Sequence, residues 1–293
     1  MKSSIDSFIG YIRTVRRFSS RTVELYTDIL RGYEDFSGGN YSPNAIRAYE
    51  VDLLDAKGEN ARTVVQHLSV LSSYCRYLVR EGVLESNPVR LVSRPKLEKR
   101  LPQFFREESM KEYFDEHPGT LEFGPEDAAL RYLTIDILYS TGLRRSELIG
   151  LKLGDVDFLR KVMRVHGKGD KVREIPMTES LAVDLRTYLE RFGRASTPDD
   201  PLLATPSGRP LYPVWIDRAV KAELGSVAGI TTRRSPHSLR HTLATELLEN
   251  GTELNSIKEL LGHSSLAATQ VYTHNSVERL RAVYSSAHPR AKK

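Results

Sequence analysis

At 293 residues, with 40% hydrophobic and 28% charged side chains, the chain has room for two domains and the composition of a globular protein with real cores. That balance excludes a disordered chain, and the longest apolar stretches, such as Leu133 to Tyr139, are broken by charge far short of the roughly 18 residues that span a membrane. The net charge of +5 suits a polyanionic partner, and the single cysteine, Cys75, excludes an intrachain disulfide.

The opening Met1-Lys2-Ser3-Ser4-Ile5-Asp6 leads into an amphipathic pattern instead of the basic and then apolar run of a secretory signal, so a cytoplasmic location is expected. From Ile5 to about Tyr33, Phe8, Ile9, Ile12, Val15, Val23, Tyr26, Ile29 and Leu30 recur at spacings of three and four, the mark of amphipathic helices. Ser19-Ser20 punctuates them, and Ser20 with Glu24 close behind reads as the N-cap of a helix beginning near Arg21. Arg13, Arg16, Arg17 and Arg21 form a basic edge that suits a DNA backbone and a solvated face equally. Residues 37–40 are a loop by composition, Ser42-Pro43 opens a helix running to Ala56, and Asn60 caps another through Val65, Leu68, Leu71 and Leu78. Cys75, among Leu71, Tyr74 and Leu78, is expected in the core.

Asn87-Pro88 closes this bundle, which is assigned to residues 1–90. A linker over 91–105 follows. Around it, Arg90, Arg94, Lys96, Lys99 and Arg100 face one acid, Glu98, a balance that can track a phosphate backbone. The second domain, 106–293, opens with a helix at Arg106 to Ser109 and a longer, more apolar one from Glu126 to Ser140, ended by Thr141-Gly142. Val162, Met163, Val165, Val172 and Ile175 flank the Gly167-Lys168-Gly169-Asp170 turn and predict a hairpin, the one persuasive sheet. Segments 179–192, 214–224, 239–249, 254–260 and 266–271 again read as helices, and Ala291-Lys292-Lys293 as a solvated basic tail. The fold class is mainly α: a small helical bundle and a mostly helical second domain with a small antiparallel sheet.

Four polar groups stand near the carboxyl end at uneven intervals: His237 and Arg240, then His263, then Tyr272. The spacing of His237 and His241 suits a zinc helix, but no Glu follows the first and no cysteine is near, so no metal is expected. Together with Thr141-Gly142-Leu143-Arg144-Arg145-Ser146-Glu147-Leu148 and Gly167-Lys168-Gly169, the stretches His237-Ser238-Leu239-Arg240-His241, Leu261-Gly262-His263 and Tyr272 resemble the ordered motif set of tyrosine recombinases. The tail from Val283 to Ala291 and the compact length are similar to the Xer branch of that family.

The resemblance implies a core-binding amino-terminal domain, a catalytic carboxyl-terminal domain and six catalytic positions: Arg144, Lys168, His237, Arg240, His263 and the nucleophile Tyr272. Elementary chemistry agrees. Arg144 and Arg240 offer planar forks of donors to a phosphate whose charge grows during attack. A phenol with an ordinary pKa of about 10 needs a base or a stabilised phenolate, and His237 could be that base or a phosphate donor. By the resemblance, His263 donates to the phosphate and Lys168 is the general acid for the leaving 5′ hydroxyl. Attack by Tyr272 would give a 3′ phosphotyrosine, with no cofactor, ATP or metal required. Glu147 is expected to orient Arg144, Arg145 to point elsewhere, Asp155 and Asp157 to shape the loop before the strands, and Lys171 and Arg173 to touch phosphate.

The family further implies a double-stranded DNA recombination site as partner and four copies on two sites, alone or with a second recombinase. In the Xer branch the implied role is chromosome dimer resolution, with a DNA translocase as activator. Val277, Leu280, Val283 and Tyr284 make an apolar stripe that could pack on a neighbouring protomer or on its own domain. The rival readings are a phage or mobile-element integrase, a relaxing topoisomerase, and a noncatalytic DNA-binding protein with the same fold.

Overall fold

The computed structural model describes residues 4–97, 105–167, 172–225 and 234–262, together with Ala287 and Arg290. The chain forms two compact units, Met1–Lys99 and Arg100–Lys293. Both are mainly helical, and the second carries one small antiparallel sheet.

In the first unit α1 (Ser4–Thr14), α2 (Ser20–Ser37), α3 (Pro43–Val51) and α4 (Ala61–Arg80) enclose a core of Phe8, Leu30, Tyr33, Tyr49, Leu68 and Tyr74. The cap of α2 is Ser19, not Ser20: Ser19 is extended and its Oγ accepts from Thr22 N at 3.3 Å, so Ser20 is already helical. The helix opened by Ser42-Pro43 is α-helical only to Val51; Asp52–Ala56 is a π turn closed by Lys57 N donating to Asp52 O, with Leu53 in the core. Tyr33 and Tyr49 meet edge to face at 5.0 Å, and the Tyr33 hydroxyl donates to Asn40 O at 2.6 Å. Cys75 is fully buried, and burial pushes its thiol up to about 12, the behaviour of a packing residue. Val92 is buried here too, and Arg47 donates to Leu91 O at 2.8 Å, so the chain stays packed on this unit just past Asn87-Pro88.

The second unit is built around α7 (Glu126–Thr141), which is buried on nearly every face. Around it lie α5 (Glu107–Asp115), α6 (Thr120–Phe123), α8 (Arg145–Ile149), α9 (Glu179–Phe192), α10 (Pro213–Glu223), α11 (Pro236–Glu249) and α12 (Leu254–Leu261), of which α9, α10 and α11 pack directly on it. The strands β1 (Val156–Asp157), β2 (Val162–His166) and β3 (Val172–Pro176) run antiparallel in that order, with Met163 opposite Ile175 and Val165 opposite Arg173. Asp155 shapes the approach to these strands, accepting from Lys152 N at 3.0 Å, whereas Asp157 lies in β1 itself and accepts from Arg160 N at 2.8 Å in the turn that follows it.

One charge crosses the apolar run of α7. Asp136 is fully buried; it accepts from Ser140 Oγ at 2.7 Å and pairs with Arg290, whose guanidinium also lies 3.9 Å from the Phe114 ring centroid. Ala287 is buried as well, so these two described residues of the tail belong to the core of their own unit. The predicted helix over 266–271, the stripe from Val277 to Tyr284 and the residues 291–293 lie outside the described residues.

Candidate active site

Glycine ends α7 and sets the direction of the next segment. Gly142 caps the helix at φ +63°, donating to Leu138 O; a Cβ there would stand 2.6 Å from Leu261 Cδ2 and 3.0 Å from Leu243 Cδ2. The turn therefore brings α7, α11 and α12 together. Arg144 then forms the extended N-cap of α8, where its backbone N–H would otherwise lack a helical partner.

Glu147, three residues on, supplies that partner. Its Oε2 accepts from Arg144 N at 2.8 Å and its Oε1 from Arg144 Nη1 at 2.6 Å. The same two oxygens take a bidentate pair from Arg173, Nη1 to Oε1 at 3.0 Å and Nη2 to Oε2 at 2.8 Å. Burial on its own would raise the Glu147 pKa, but the bonds and charges of Arg173 and Arg144 hold it below the ordinary carboxylate range. Glu147 thus orients Arg144, as its spacing predicts.

The carboxyl end of α12 collects three guanidinium groups. Leu260 O accepts from Arg173 Nε (3.0 Å), Leu261 O from Arg240 Nη2, and Gly262 O from Arg144 Nη2 (2.8 Å). Carbonyls at a helix end lack helical partners and carry partial negative charge, so cations there are both bonded and electrostatically favoured. Arg240 is further fixed by Nη1 donating to Gly142 O at 2.6 Å. Burial first, and then the Arg144 charge, lower its pKa to about 10, which still leaves it a cation at neutral pH.

Arg240 sits on α11, begun by Ser235, whose Oγ accepts from Ser238 N at 3.3 Å, with Pro236 in the first helical position. His237 is exposed on the first turn of that helix, one turn before Arg240, and its Nε2 lies 3.0 Å from Nε2 of His241. Partial burial lowers the His237 pKa, with the charges of His241, Arg240 and Arg144 adding to the effect. A neutral imidazole beside two arginines, at a helix N-terminus that favours anions, is a suitable proton acceptor next to a bound phosphate.

Of the six predicted positions, Arg144 and Arg240 share the α12 terminus, with His237 one turn from Arg240. Lys168, His263 and Tyr272 lie outside the described residues, as does Lys171. Arg145 pairs with Asp217, away from Glu147. Arg173 departs from the expected phosphate contact: it is 6% exposed, and its Nε, Nη1 and Nη2 each donate inward, to Leu260 O and the two oxygens of Glu147. The signal for this was present in β3, since Arg173 and Ile175 are two apart and share one face of the strand. Among the described residues no group of three or more His, Cys, Asp or Glu side chains is arranged to hold a metal.

Comparison with known proteins places this geometry. Residues 5–82 match the N-terminal SAM-like domain of phage integrases, and residues 104–279 match the phage integrase family. A tyrosine recombinase XerC of Bacillus subtilis (strain 168) is 36% identical over 302 residues, which cover 99% of this chain and 98% of the relative. A second, from Bacillus pumilus (strain SAFR-032), is 38% identical over 303 residues, covering 97% and 95%. Among solved structures, the XerH site-specific recombinase bound to palindromic difH substrate in a post-cleavage complex shares the fold, with a TM-score of 0.70 at 19% identity over 97% of this chain and 85% of its own.

Proposed function

The chain belongs to the phage integrase family, the tyrosine recombinases, and on that premise we propose how its residues divide the work of cutting and rejoining DNA. It is a site-specific DNA recombinase of the Xer type, an enzyme that acts on a DNA recombination site. The observation that carries the residue assignment is the anchoring of Arg144 and Arg240 on the neighbouring carbonyls Gly262 and Leu261. Two guanidinium groups held side by side in this way form a cradle for one phosphate, a fixed array of donors of the kind that stabilises charge developing in a transition state.

In this reading Tyr272 attacks the phosphorus, the bond to the 5′ oxygen breaks, and a 3′ phosphotyrosine forms. Neutral His237 takes the phenolic proton or donates to the phosphate, His263 donates to a nonbridging oxygen, and Lys168 gives the departing 5′ oxygen its proton. The free 5′ hydroxyl of the partner strand reverses the step on new DNA, so the phosphodiester energy is conserved. Four protomers on two sites, alone or with a second recombinase, would exchange one strand pair, pass through a Holliday junction and exchange the other. The cellular role that fits this branch is resolution of chromosome dimers before cell division, with a DNA translocase as a further partner.

The test is a duplex carrying the chain's own site with a nick next to the scissile phosphate, incubated in EDTA. Recombinase chemistry gives a protein–DNA adduct that survives denaturation and a released 5′ end that a polynucleotide kinase can phosphorylate directly. Specific binding without an adduct would instead leave a DNA-binding protein with a recombinase fold.

A further inference from the structure

The bonding pattern around Glu147 assigns Arg173 a part in catalysis that its position outside the phosphate cradle hides. We propose that Arg173 is a positioning residue: it sets the placement of Arg144 and of the turn that leads into His263, and so acts on the phosphate through them. The proposal rests on the recombinase reading given above.

Three observations carry it. First, Arg173 and Arg144 share both oxygens of one carboxylate, so any shift of Arg173 moves the group that holds Arg144 by main chain and side chain together. Second, Arg173 Nε donates to Leu260 O, the first of the three successive carbonyls whose other two hold Arg240 and Arg144. Third, the guanidinium lies flat against Gly262: a Cβ at that residue, where φ is +65°, would stand 3.1 Å from Arg173 Cζ and Nη1. Gly262 immediately precedes His263, so the arginine forms the floor of the turn from which that histidine departs.

The strand explains how this reach is possible. Arg173 pairs with Val165 across the hairpin and points with Ile175 into the unit, five residues after Lys168 in sequence. A single side chain therefore ties the β2–β3 pair to the segments bearing Arg144 and Arg240. Its planar fork matches the carboxylate in a way that an ammonium does not, so Arg173→Lys keeps the charge and loses the geometry.

The experiment compares wild type, Arg173→Lys, Arg144→Lys and the double variant in single-turnover cleavage of the nicked duplex at saturating protein, with DNA affinity measured separately. Arg173→Lys is expected to slow adduct formation about 10- to 100-fold while the dissociation constant changes less than about threefold. Because part of the effect of Arg173 passes through Arg144, the double variant should lose less than the product of the two single losses. A merely structural arginine would give multiplicative losses, or a loss confined to binding and thermal stability, and either result overturns the proposal. Should Arg173→Lys fail to fold, Gly262→Ala, which sets a methyl group 3.1 Å from the same guanidinium and also strains a backbone at φ +65°, must slow cleavage too, and wild-type rates there would refute the proposal. Wild-type protein that forms no adduct overturns the recombinase reading and this role with it, whereas wild-type cleavage unchanged in Arg173→Lys overturns this role alone.

Discussion

Glu147 holds Arg144 at two points, accepting from its backbone nitrogen at 2.8 Å and from its Nη1 at 2.6 Å, so that a helix cap and an ion pair are one interaction. The arrangement fixes the arginine before any substrate arrives. A half-exposed side chain such as Arg144 would otherwise lose rotamer freedom on binding phosphate; here that ordering has occurred in folding.

Replacing the carboxylate is therefore expected to affect both stability and rate. Glu147→Gln leaves the buried Arg173 charge without its anion, a loss of about 3–5 kcal/mol for a broken buried pair, read as a lower denaturant midpoint. Because the folded pKa of Glu147 is depressed, the stability it contributes is complete above the ordinary value of 4.5 and is lost as pH falls through that value toward the lower folded one. The wild-type and variant stability curves should thus converge in acid. A constant gap down to pH 3 would contradict the ion pair.

Elsewhere in the second unit a carboxyl group behaves in the opposite sense. Burial pushes Glu246 up to about 8; Tyr139 Oη donates to its Oε1 at 3.1 Å, and Oε2 is buried with no hydrogen-bond partner among the described residues. The folded chain then binds a proton that the unfolded chain releases, so stability declines as pH rises from about 4.5 to about 8. Glu246→Gln, which has the shape of the protonated acid, should flatten that decline and be more stable than wild type at pH 8 by about 1–3 kcal/mol. Parallel unfolding curves across this window would show that Glu246 is charged in the folded chain.

For His237 the direction of the shift gives a kinetic expectation. If neutral His237 accepts the proton, the acid limb of the cleavage rate lies below the ordinary histidine value of 6.5, since burial and the charges of His241, Arg240 and Arg144 oppose protonation. Substituting His241→Asn removes one of those charges and should move the limb upward, toward 6.5. A limb unmoved in His241→Asn, or one lying above 6.5 in the wild type, would exclude His237 as the base.

Much of this was legible from the sequence because helix boundaries and the catalytic motifs are local signals. Asn60 as a cap and Gly142 after the long helix each follow from one or two residues, and α9 begins and ends where its periodicity does, whereas α11 starts at Pro236, three residues before the expected 239–249. The cap of α2 was off by one because Ser19 and Ser20 carry the same side chain, and only the backbone angle distinguishes them. The inward turn of Arg173 was less accessible: in a five-residue strand with charged neighbours, a shift of one residue exchanges the two faces. Its partner Glu147 is 26 residues away, a pairing that only the tertiary fold creates. Asp136 posed the same difficulty within α7, where the compensating charge, Arg290, arrives from the end of the chain.

The central claim concerns Tyr272, and the direct measurement compares wild type with Tyr272→Phe on the nicked duplex, counting covalent adduct on a denaturing gel alongside site-specific binding. The account predicts that Tyr272→Phe binds the site as wild type does and forms no adduct. An adduct that persists in Tyr272→Phe would place the nucleophile on another residue and contradict the account.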